Sequence, residues 1–208
     1  MEAHTKETQD KMTPDKSLNE LKLGNQRFVN KNQLNRDLLQ QVKETSTGQY
    51  PFATILSCID SRVSSELIFD QGIGDIFSVR IAGNFVNEDI LGSMEFACKL
   101  AGTKLIVVLG HTACGAVKGA CDHARLGNLT ALINKIEPAV DAVIEPQDKS
   151  LRNSSNIEFV NRVAEKNVEM TISEIRSASS VLNEMEKNGE IKIIGGIYDI
   201  ASGLVSFN

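Results

Sequence analysis

Three short apolar runs rich in β-branched residues constrain the fold of this chain most. They are FATILSC at 52–58, IFSVRIA at 76–82 and KLIVVLGH at 104–111. Half-exposed antiparallel strands alternate apolar and polar residues, whereas these runs are nearly continuous, which is typical of parallel strands covered on both faces. A helix-length stretch over 88–101, ended by Gly102, supplies the crossover between the second and third runs. The pattern predicts a parallel β-α-β core.

Helical patterns precede and follow this core. They cover 13–30, 37–45, 114–124, 128–143 and 156–187. IKIIGGIYDI then predicts a fourth strand, and GLVSF can add a fifth. The expected fold class is therefore α/β, with a mostly parallel central sheet of four to five strands flanked by helices and an N-terminal helical extension. Residues 1–16 are expected to be a flexible N-terminal segment, and residues 17–208 a single domain.

Charge and hydropathy exclude several classes of partner. The net charge is -5, and the basic residues are interleaved with acids, so no basic surface for nucleic acid or anionic lipid is expected. No apolar run approaches the roughly 18 to 20 residues that span a bilayer. The first twelve residues, MEAHTKETQDKM, lack the apolar core of a signal peptide. We expect a soluble, cytoplasmic protein, with a periplasmic location after signal-peptide removal as the alternative.

The four cysteines are sparse for a chain that can build a large core, so reduced thiols are expected rather than disulfides. Cys98 lies on the apolar side of a predicted helix, where a thiol acts as a small hydrophobic side chain. Cys121 is interpreted in the same way. Cys58 and Cys114 are different because of where the predicted strands end.

Cys58 stands at the carboxyl end of the first predicted strand, and His111 stands at that of the third, with Cys114 three residues later. In open parallel sheets, sites form in the crevice beyond these strand ends. Thiolates and imidazole are donors that zinc prefers, and three protein ligands leave a fourth tetrahedral position free, as in catalytic sites. The sequence therefore predicts a catalytic zinc site.

The segment CIDSR, followed about fifty residues later by HTACG, resembles the β-class carbonic anhydrases of the bacterial type. Further similarity to this family is carried by GNQRFV, GQYPF, GDIFSVRIAGN and GAVKGA, and by the C-terminal GGIYDIASGLVSF. These segments occur in order and cover most of residues 20–125 and the end of the chain. The resemblance implies the fold expected above, and an enzyme.

The implied activity is carbonic anhydrase, a lyase: reversible zinc-dependent hydration of carbon dioxide to bicarbonate and a proton, by attack of zinc-bound hydroxide. The resemblance places one Zn2+ per chain on Cys58, His111 and Cys114. It also implies that Asp60 and Arg62 form a catalytic dyad that controls the fourth zinc position. In some family members this aspartate is itself the fourth zinc ligand, so Asp60 belongs to the candidate metal ligands as well.

The resemblance also implies residues that bind carbon dioxide or bicarbonate. Gln49 is expected to point into the site of a neighbouring subunit, and Gly115 to lie next to the bound anion. Phe77 and Ala82 are expected to give the apolar wall that an uncharged gas needs. The implied assembly is a homodimer or a dimer of dimers, that is, a homotetramer, with the helical arm 17–48 used in dimerisation.

Certain family members carry a separate inhibitory bicarbonate pocket built from a tryptophan, an arginine and a tyrosine. Here Ile55 and Phe96 occupy the places of the two aromatic residues, and only Arg80 is retained. Inhibition by bicarbonate of that type is therefore not expected.

Several alternatives remain open at the level of sequence. The same site can act on carbonyl sulfide or carbon disulfide, and a structural or regulatory zinc module would keep Asp60 permanently on the metal. Asp60 and Arg62 can also be an ordinary ion pair, and Gln49 a solvent-facing loop residue. A redox-thiol protein is disfavoured because the thiols are not in a C-x-x-C arrangement. Asp122 or His123 can carry protons, although a solvated helix end explains both.

Overall fold

A computed structural model describes residues 3–208, in which five strands form one sheet. The strands are β1 (Ala53–Ser57), β2 (Ile76–Arg80), β3 (Leu105–His111), β4 (Lys192–Tyr198) and β5 (Val205–Phe207). Their order across the sheet is β2-β1-β3-β4-β5. The first four are parallel, and β5 runs antiparallel to β4. The predicted fold class, including the fifth strand, is confirmed.

Helices flank this sheet. They are α1 (Lys6–Asp10), α2 (Pro14–Val29), α3 (Leu38–Glu44), α4 (Ser65–Ile68), α5 (Glu88–Glu95), α6 (Gly115–Cys121), α7 (Gly127–Ala142), α8 (Ile157–Ala178) and α9 (Ser180–Lys187). A π-helical turn, Phe96–Leu100, continues α5, and a short 3-10 turn, Lys149–Leu151, precedes α8. Within residues 3–208, no helix combines the length and apolar character needed to cross a bilayer.

The two central strands are buried on both faces. Every residue of β1 and β3 is buried, and alternate side chains enter two different cores. Ile55 and Val107 pack with residues of α2 and α4, whereas Leu56 and Val108 pack with residues of α5, α8 and α9. Full burial of such a side chain contributes about 1.5–3 kcal/mol. Both strands are therefore firmly held where they end.

The expectation of two covered faces is wrong for β2. Ile76 is buried and Phe77 and Val79 are half-buried, but Ser78 and Arg80 are exposed. The physical reason is position: β2 forms an edge of the sheet, so it has a strand on one side only. An apolar composition does not reveal which strand lies at an edge.

The N-terminal segment differs from the expectation of a flexible chain over 1–16. Helix α1 lies within it, capped by Thr5, and Pro14 already begins α2. The Gln9 side chain is buried and donates to the carbonyl oxygens of Pro51 and Ala101, each at 2.8 Å. Residues 1 and 2 lie outside the described part of the chain.

The helix expected over 156–187 is two helices. Ser179 separates α8 from α9, and its hydroxyl accepts a hydrogen bond from the Leu182 N–H as an N-cap. The same hydroxyl donates to the Glu95 carboxylate at 2.5 Å. Serine competes in this way with helix continuation through its own side chain.

The arm 17–48 is largely helical and packs partly on its own chain. Leu21 is fully buried, and Asn25 donates to the carbonyl oxygens of Ile68 and Gly203. The arm also contributes two arginines that bind the buried Asp70 carboxylate. Arg27 Nε lies 2.5 Å from Oδ2, and Arg36 Nη1 lies 2.6 Å from Oδ1. The role of the arm in dimerisation stays a prediction.

Candidate metal centre

The carboxyl ends of β1 and β3 lie side by side and bring three donor residues together. Ser57, the last residue of β1, is level with Leu109, so Cys58 follows at the height where β3 ends in His111. The turn after β3 carries Cys114 to the start of α6. All three residues are buried, and their ligand atoms lie within 4.8 Å of one another. The predicted convergence of these three side chains is confirmed.

The turn that joins β3 to α6 is held from several sides. Ala113 has a left-handed backbone, with φ of 55°, and its N–H donates to Asn161 Oδ1 at 2.9 Å. The Thr112 N–H donates to the Tyr198 carbonyl at 3.0 Å, and its hydroxyl accepts from the Ile200 N–H at 3.1 Å. These contacts fix the distance between His111 and Cys114.

His111 presents a free nitrogen to the two sulfurs. Its Nδ1 lies 3.0 Å from the Thr112 carbonyl, and a carbonyl only accepts, so Nδ1 carries the proton. The lone pair is then on Nε2, which is fully buried and has no hydrogen-bond partner within residues 3–208. Leaving such an atom unsatisfied costs about 1–3 kcal/mol. A metal ion would satisfy it, and the Thr112 carbonyl would orient the ring.

The two thiols behave as one acid-base pair. Their sulfurs are 3.9 Å apart, and Cys58 Sγ also accepts from the Gly83 N–H at 3.5 Å. The hydrogen bond from Cys114, helped by the Gly83 N–H against the effect of burial, lowers the pKa of Cys58 to about 4. The same bond, together with burial, raises the pKa of Cys114 well above its ordinary value. The pair holds one negative charge readily, and a second one requires a cation.

The donor set and its spacing fit a zinc ion. Zn–S bonds of about 2.3 Å in a tetrahedron place two sulfurs about 3.8 Å apart. The observed 3.9 Å between Cys58 Sγ and Cys114 Sγ agrees with this edge. Two sulfurs and one imidazole nitrogen are also the ligands of catalytic zinc sites that keep a fourth position open.

Asp60 and Arg62 form a bidentate ion pair beside this cluster. Arg62 donates from Nε to Oδ1 at 2.9 Å and from Nη2 to Oδ2 at 2.7 Å, and its backbone N–H donates to Oδ1 at 3.0 Å. These bonds hold the pKa of Asp60 well below its usual range. Oδ2 lies 4.0 Å from His111 Nε2. Asp60 thus borders the cluster while paired with Arg62, and its role as a metal ligand stays a prediction.

Arg80 clamps the loop that carries Cys58 and Asp60. Its Nε donates to the Cys58 carbonyl at 3.0 Å, and its Nη2 donates to the Asp60 carbonyl at 2.7 Å. The sequence interpretation considered Arg80 only for an inhibitory pocket and missed this role. An arginine on an edge strand carries no sequence signal for a backbone clamp.

Gly83 contacts the sulfur of Cys58 through its N–H and is itself held by Asn167. Gly83 has φ of 80°, and an added Cβ would lie 2.3 Å from Ile136 Cδ1, so no other residue fits without movement. Its carbonyl accepts from Asn167 Nδ2 at 2.8 Å. Asn161 and Asn167 both come from α8, and neither carries a recognisable signal in the sequence.

Of the residues expected to bind substrate, Ala82 and Gly115 follow strands at this edge, whereas Gln49 precedes the amino end of β1 and Phe77 lies within β2, level with Thr54. Gln49 is exposed before β1, Ala82 is half-buried after β2, and Gly115 is exposed at the first turn of α6. Phe77 lines a groove of about 890 Å³ with Phe96, and none of the three donor residues lines that groove. Their contacts with substrate stay predictions.

The other two thiols are buried, and the two residues considered as proton carriers, Asp122 and His123, are hydrogen-bonded. Cys98 and Cys121 are buried and free, as expected, and burial raises the pKa of each to about 11. His123 Nδ1 lies 2.9 Å from a Glu137 carboxylate oxygen, and Asp122 accepts from the Ser154 N–H at 2.8 Å. These contacts match a solvated helix end.

Known proteins are similar to this chain over most of its length. The family model for carbonic anhydrase matches residues 53–205. Carbonic anhydrase 2 of Mycobacterium tuberculosis is 34% identical over 189 residues, covering 88% of this chain and 87% of its own. Carbonic anhydrase of Mycolicibacterium smegmatis is 32% identical over 191 residues, covering 89% and 88%.

Solved structures show the same fold. The β-carbonic anhydrase CafA of Aspergillus fumigatus superposes with a TM-score of 0.71 at 29% identity, covering 80% of this chain and 79% of its own. A structure from a study of two tetrameric β-carbonic anhydrases of Sordaria macrospora gives 0.68 at 25% identity, covering 79% and 84%. An α/β protein with a Cys-His-Cys cluster at its strand ends is the class that fold and site define. The chain belongs to the β-carbonic anhydrases, which are lyases that hydrate carbon dioxide.

Proposed function

We propose that this chain hydrates carbon dioxide reversibly with one zinc ion held by Cys58 Sγ, His111 Nε2 and Cys114 Sγ. The observation that carries the proposal is the buried group of three donor atoms within 4.8 Å, one of them a nitrogen with no hydrogen-bond partner in residues 3–208. When bound, zinc supplies the Lewis acidity that lowers the pKa of a coordinated water toward neutrality.

The protein's own groups set the charge of this centre. The two thiolates together balance the charge of a divalent ion, and the Gly83 N–H takes up part of the negative charge on Cys58 Sγ. Asp60 stays ionised because Arg62 binds both of its oxygens. The centre and its dyad together are therefore close to neutral, which suits an uncharged substrate.

Asp60 orients the nucleophile in this proposal. Its Oδ2 lies 4.0 Å from His111 Nε2, at the edge of the donor group, and it has no proton to give. It can therefore only accept a hydrogen bond from the attacking water. Arg62 fixes the plane of the carboxylate through two parallel bonds, a geometry that a single lysine could not provide. The dyad thus positions the water for attack on carbon dioxide.

Substrate binding and assembly belong to the same proposal. Phe77 and Ala82 form the apolar approach for carbon dioxide, Gly115 lies beside the product anion, and Gln49 reaches the site of a second copy. The arm after α2 supports a homodimer or dimer of dimers, because several of its large apolar side chains are exposed: Leu34, Leu38, Leu39 and Val42. We propose a cytoplasmic location, which four reduced cysteines favour.

The test is zinc content measured together with carbon dioxide hydration. We expect about one zinc per chain in the wild type, loss of zinc and a fall to the background rate in Cys58→Ala, and both properties kept in Cys121→Ala. Cys121 is a matched control because it is as buried as Cys58, at 3% exposure, and ends α6 outside the group of three donor residues. Full zinc content in Cys58→Ala would contradict the proposal.

A further inference from the structure

A second cavity lies between α7 and α8, on the far side of the Gly83 loop. It has a volume of about 300 Å³, which is room for about ten water molecules. Small-molecule sites typically begin at this size and combine apolar walls with a few convergent polar groups. Its apolar lining comes from Phe85, Val86, Pro138, Ala139 and Met170.

The floor of this cavity is formed by two buried residues whose side chains carry polar atoms that the fold leaves unused. Asn167 and Thr171, one helical turn apart on α8, are each at least 96% buried, with exposures of 3% and 4%. Asn167 uses Nδ2 on the Gly83 carbonyl, and within residues 3–208 its Oδ1 makes no protein hydrogen bond. The Thr171 hydroxyl makes none either. Two hydrogen-bonding oxygens are thus left for an occupant.

The mouth of the cavity carries one cation and one anion. Lys135 reaches it from α7, and Glu174 reaches it from α8, in line with Asn167 and Thr171. Neither charge has an ion-pair partner among the described residues. Glu174 would repel a simple anion, and Lys135 would repel a simple cation. A molecule that carries both charges is instead attracted to both side chains. The apolar lining then selects an aliphatic body.

Gly83 links the floor of the cavity to the metal centre through its two backbone polar groups. Asn167 holds the Gly83 carbonyl, and the Gly83 N–H donates to Cys58 Sγ. An occupant that bonds to Asn167 Oδ1 acts on the side chain that positions this glycine. We propose that the cavity binds a small aliphatic zwitterion, such as a free amino acid, and that its occupancy changes metal binding at Cys58. Only the second half rests on the proposed zinc function.

The binding half is tested by calorimetric titration of the full-length, zinc-loaded protein with L-valine. We expect saturable millimolar binding that weakens about tenfold or more in Thr171→Val and in Glu174→Gln, as loss of a hydrogen bond to a charged group predicts. Glu165→Gln is the matched control, because Glu165 is exposed on the same helix outside the cavity, and it should leave binding unchanged.

Two fragments of the probe test the ligand class. Isobutylamine lacks the carboxylate and isovalerate lacks the ammonium group, so each should bind about tenfold more weakly than L-valine. Absence of saturable L-valine binding, binding unaffected by both cavity variants, or equal binding of either fragment would overturn the proposal.

The coupling half is tested by chelator competition for zinc and by the amide resonance of Gly83. Saturating L-valine should change the apparent zinc affinity about fivefold or more and shift the Gly83 resonance. Valine binding without either effect would overturn the coupling. If the protein took up no zinc, the proposed function would fail, while the L-valine titration and the Gly83 shift would still report on the cavity.

Discussion

Replacing Arg80 by alanine should weaken zinc binding without removing any zinc ligand. The guanidinium donates to the carbonyl oxygens of Cys58 and Asp60 at 3.0 and 2.7 Å. A hydrogen bond from a charged donor contributes about 1.5–3 kcal/mol, and solvent reduces this at the more exposed Asp60 carbonyl. We take about 2 kcal/mol for the clamp. Metal binding must then order the loop itself, so the zinc affinity should fall about 30-fold.

The assay is competition for zinc against a chelator of known affinity, with thermal unfolding measured on the same samples. Arg80→Lys keeps the positive charge but loses the planar guanidinium that binds two carbonyls at once. Its zinc affinity should therefore lie between those of Arg80→Ala and the wild type. Arg125→Ala is the matched control, because Arg125 is an exposed arginine paired with Glu137 away from the cluster. A zinc affinity of Arg80→Ala within about twofold of the wild type would refute the clamp, since the predicted loss is far larger.

Two further substitutions test how the surrounding fold is held. Burial opposes ionisation of Asp70, but the hydrogen bonds of its two arginine partners outweigh it and lower its pKa. Its stabilisation is therefore present above the unfolded pKa of about 3.9 and lost as pH falls through the folded value. Asp70→Asn should lower the free energy of unfolding, measured in urea, by about 3–5 kcal/mol at pH 7. This free energy should also fall less steeply below pH 5 in the variant than in the wild type, and parallel pH profiles of the two proteins would contradict the prediction. Gly83→Ala should lose about 2–4 kcal/mol because of its φ of 80° and the contact with Ile136, whereas Gly92→Ala, with open space at its Cβ, should be neutral or stabilising. Equal stability of these two glycine variants would count against the close packing at Gly83.

The central part of the fold was predictable because its signal is local. The strands β1 and β3 are short, continuous and β-branched, and their ends fix where Cys58 and His111 lie. Parallel strands place their carboxyl ends at one edge, so the convergence of the three donors followed from the sequence alone. The dyad of Asp60 and Arg62 was predictable for the same reason, since both lie within four residues of Cys58.

The features that were missed depend on long-range contacts. Asn161 and Asn167 hold the metal-site loops from α8, about fifty and eighty residues further along the chain than the groups they bind. An asparagine inside an amphipathic helix gives no sign of such a partner. Helix α1 was missed because it is short and polar, and Gln9 is buried by hydrogen bonds rather than by hydrophobicity. The break at Ser179 was missed because serine is also common inside helices.

The most direct test of the account is anomalous X-ray scattering at the zinc edge from crystals of the zinc-loaded protein. We expect a single peak per chain at bonding distance, about 2.0–2.3 Å, from Cys58 Sγ, Cys114 Sγ and the Nε2 nitrogen of His111. Full zinc occupancy at any other group of side chains, or a zinc bound through Nδ1 of His111, would contradict it.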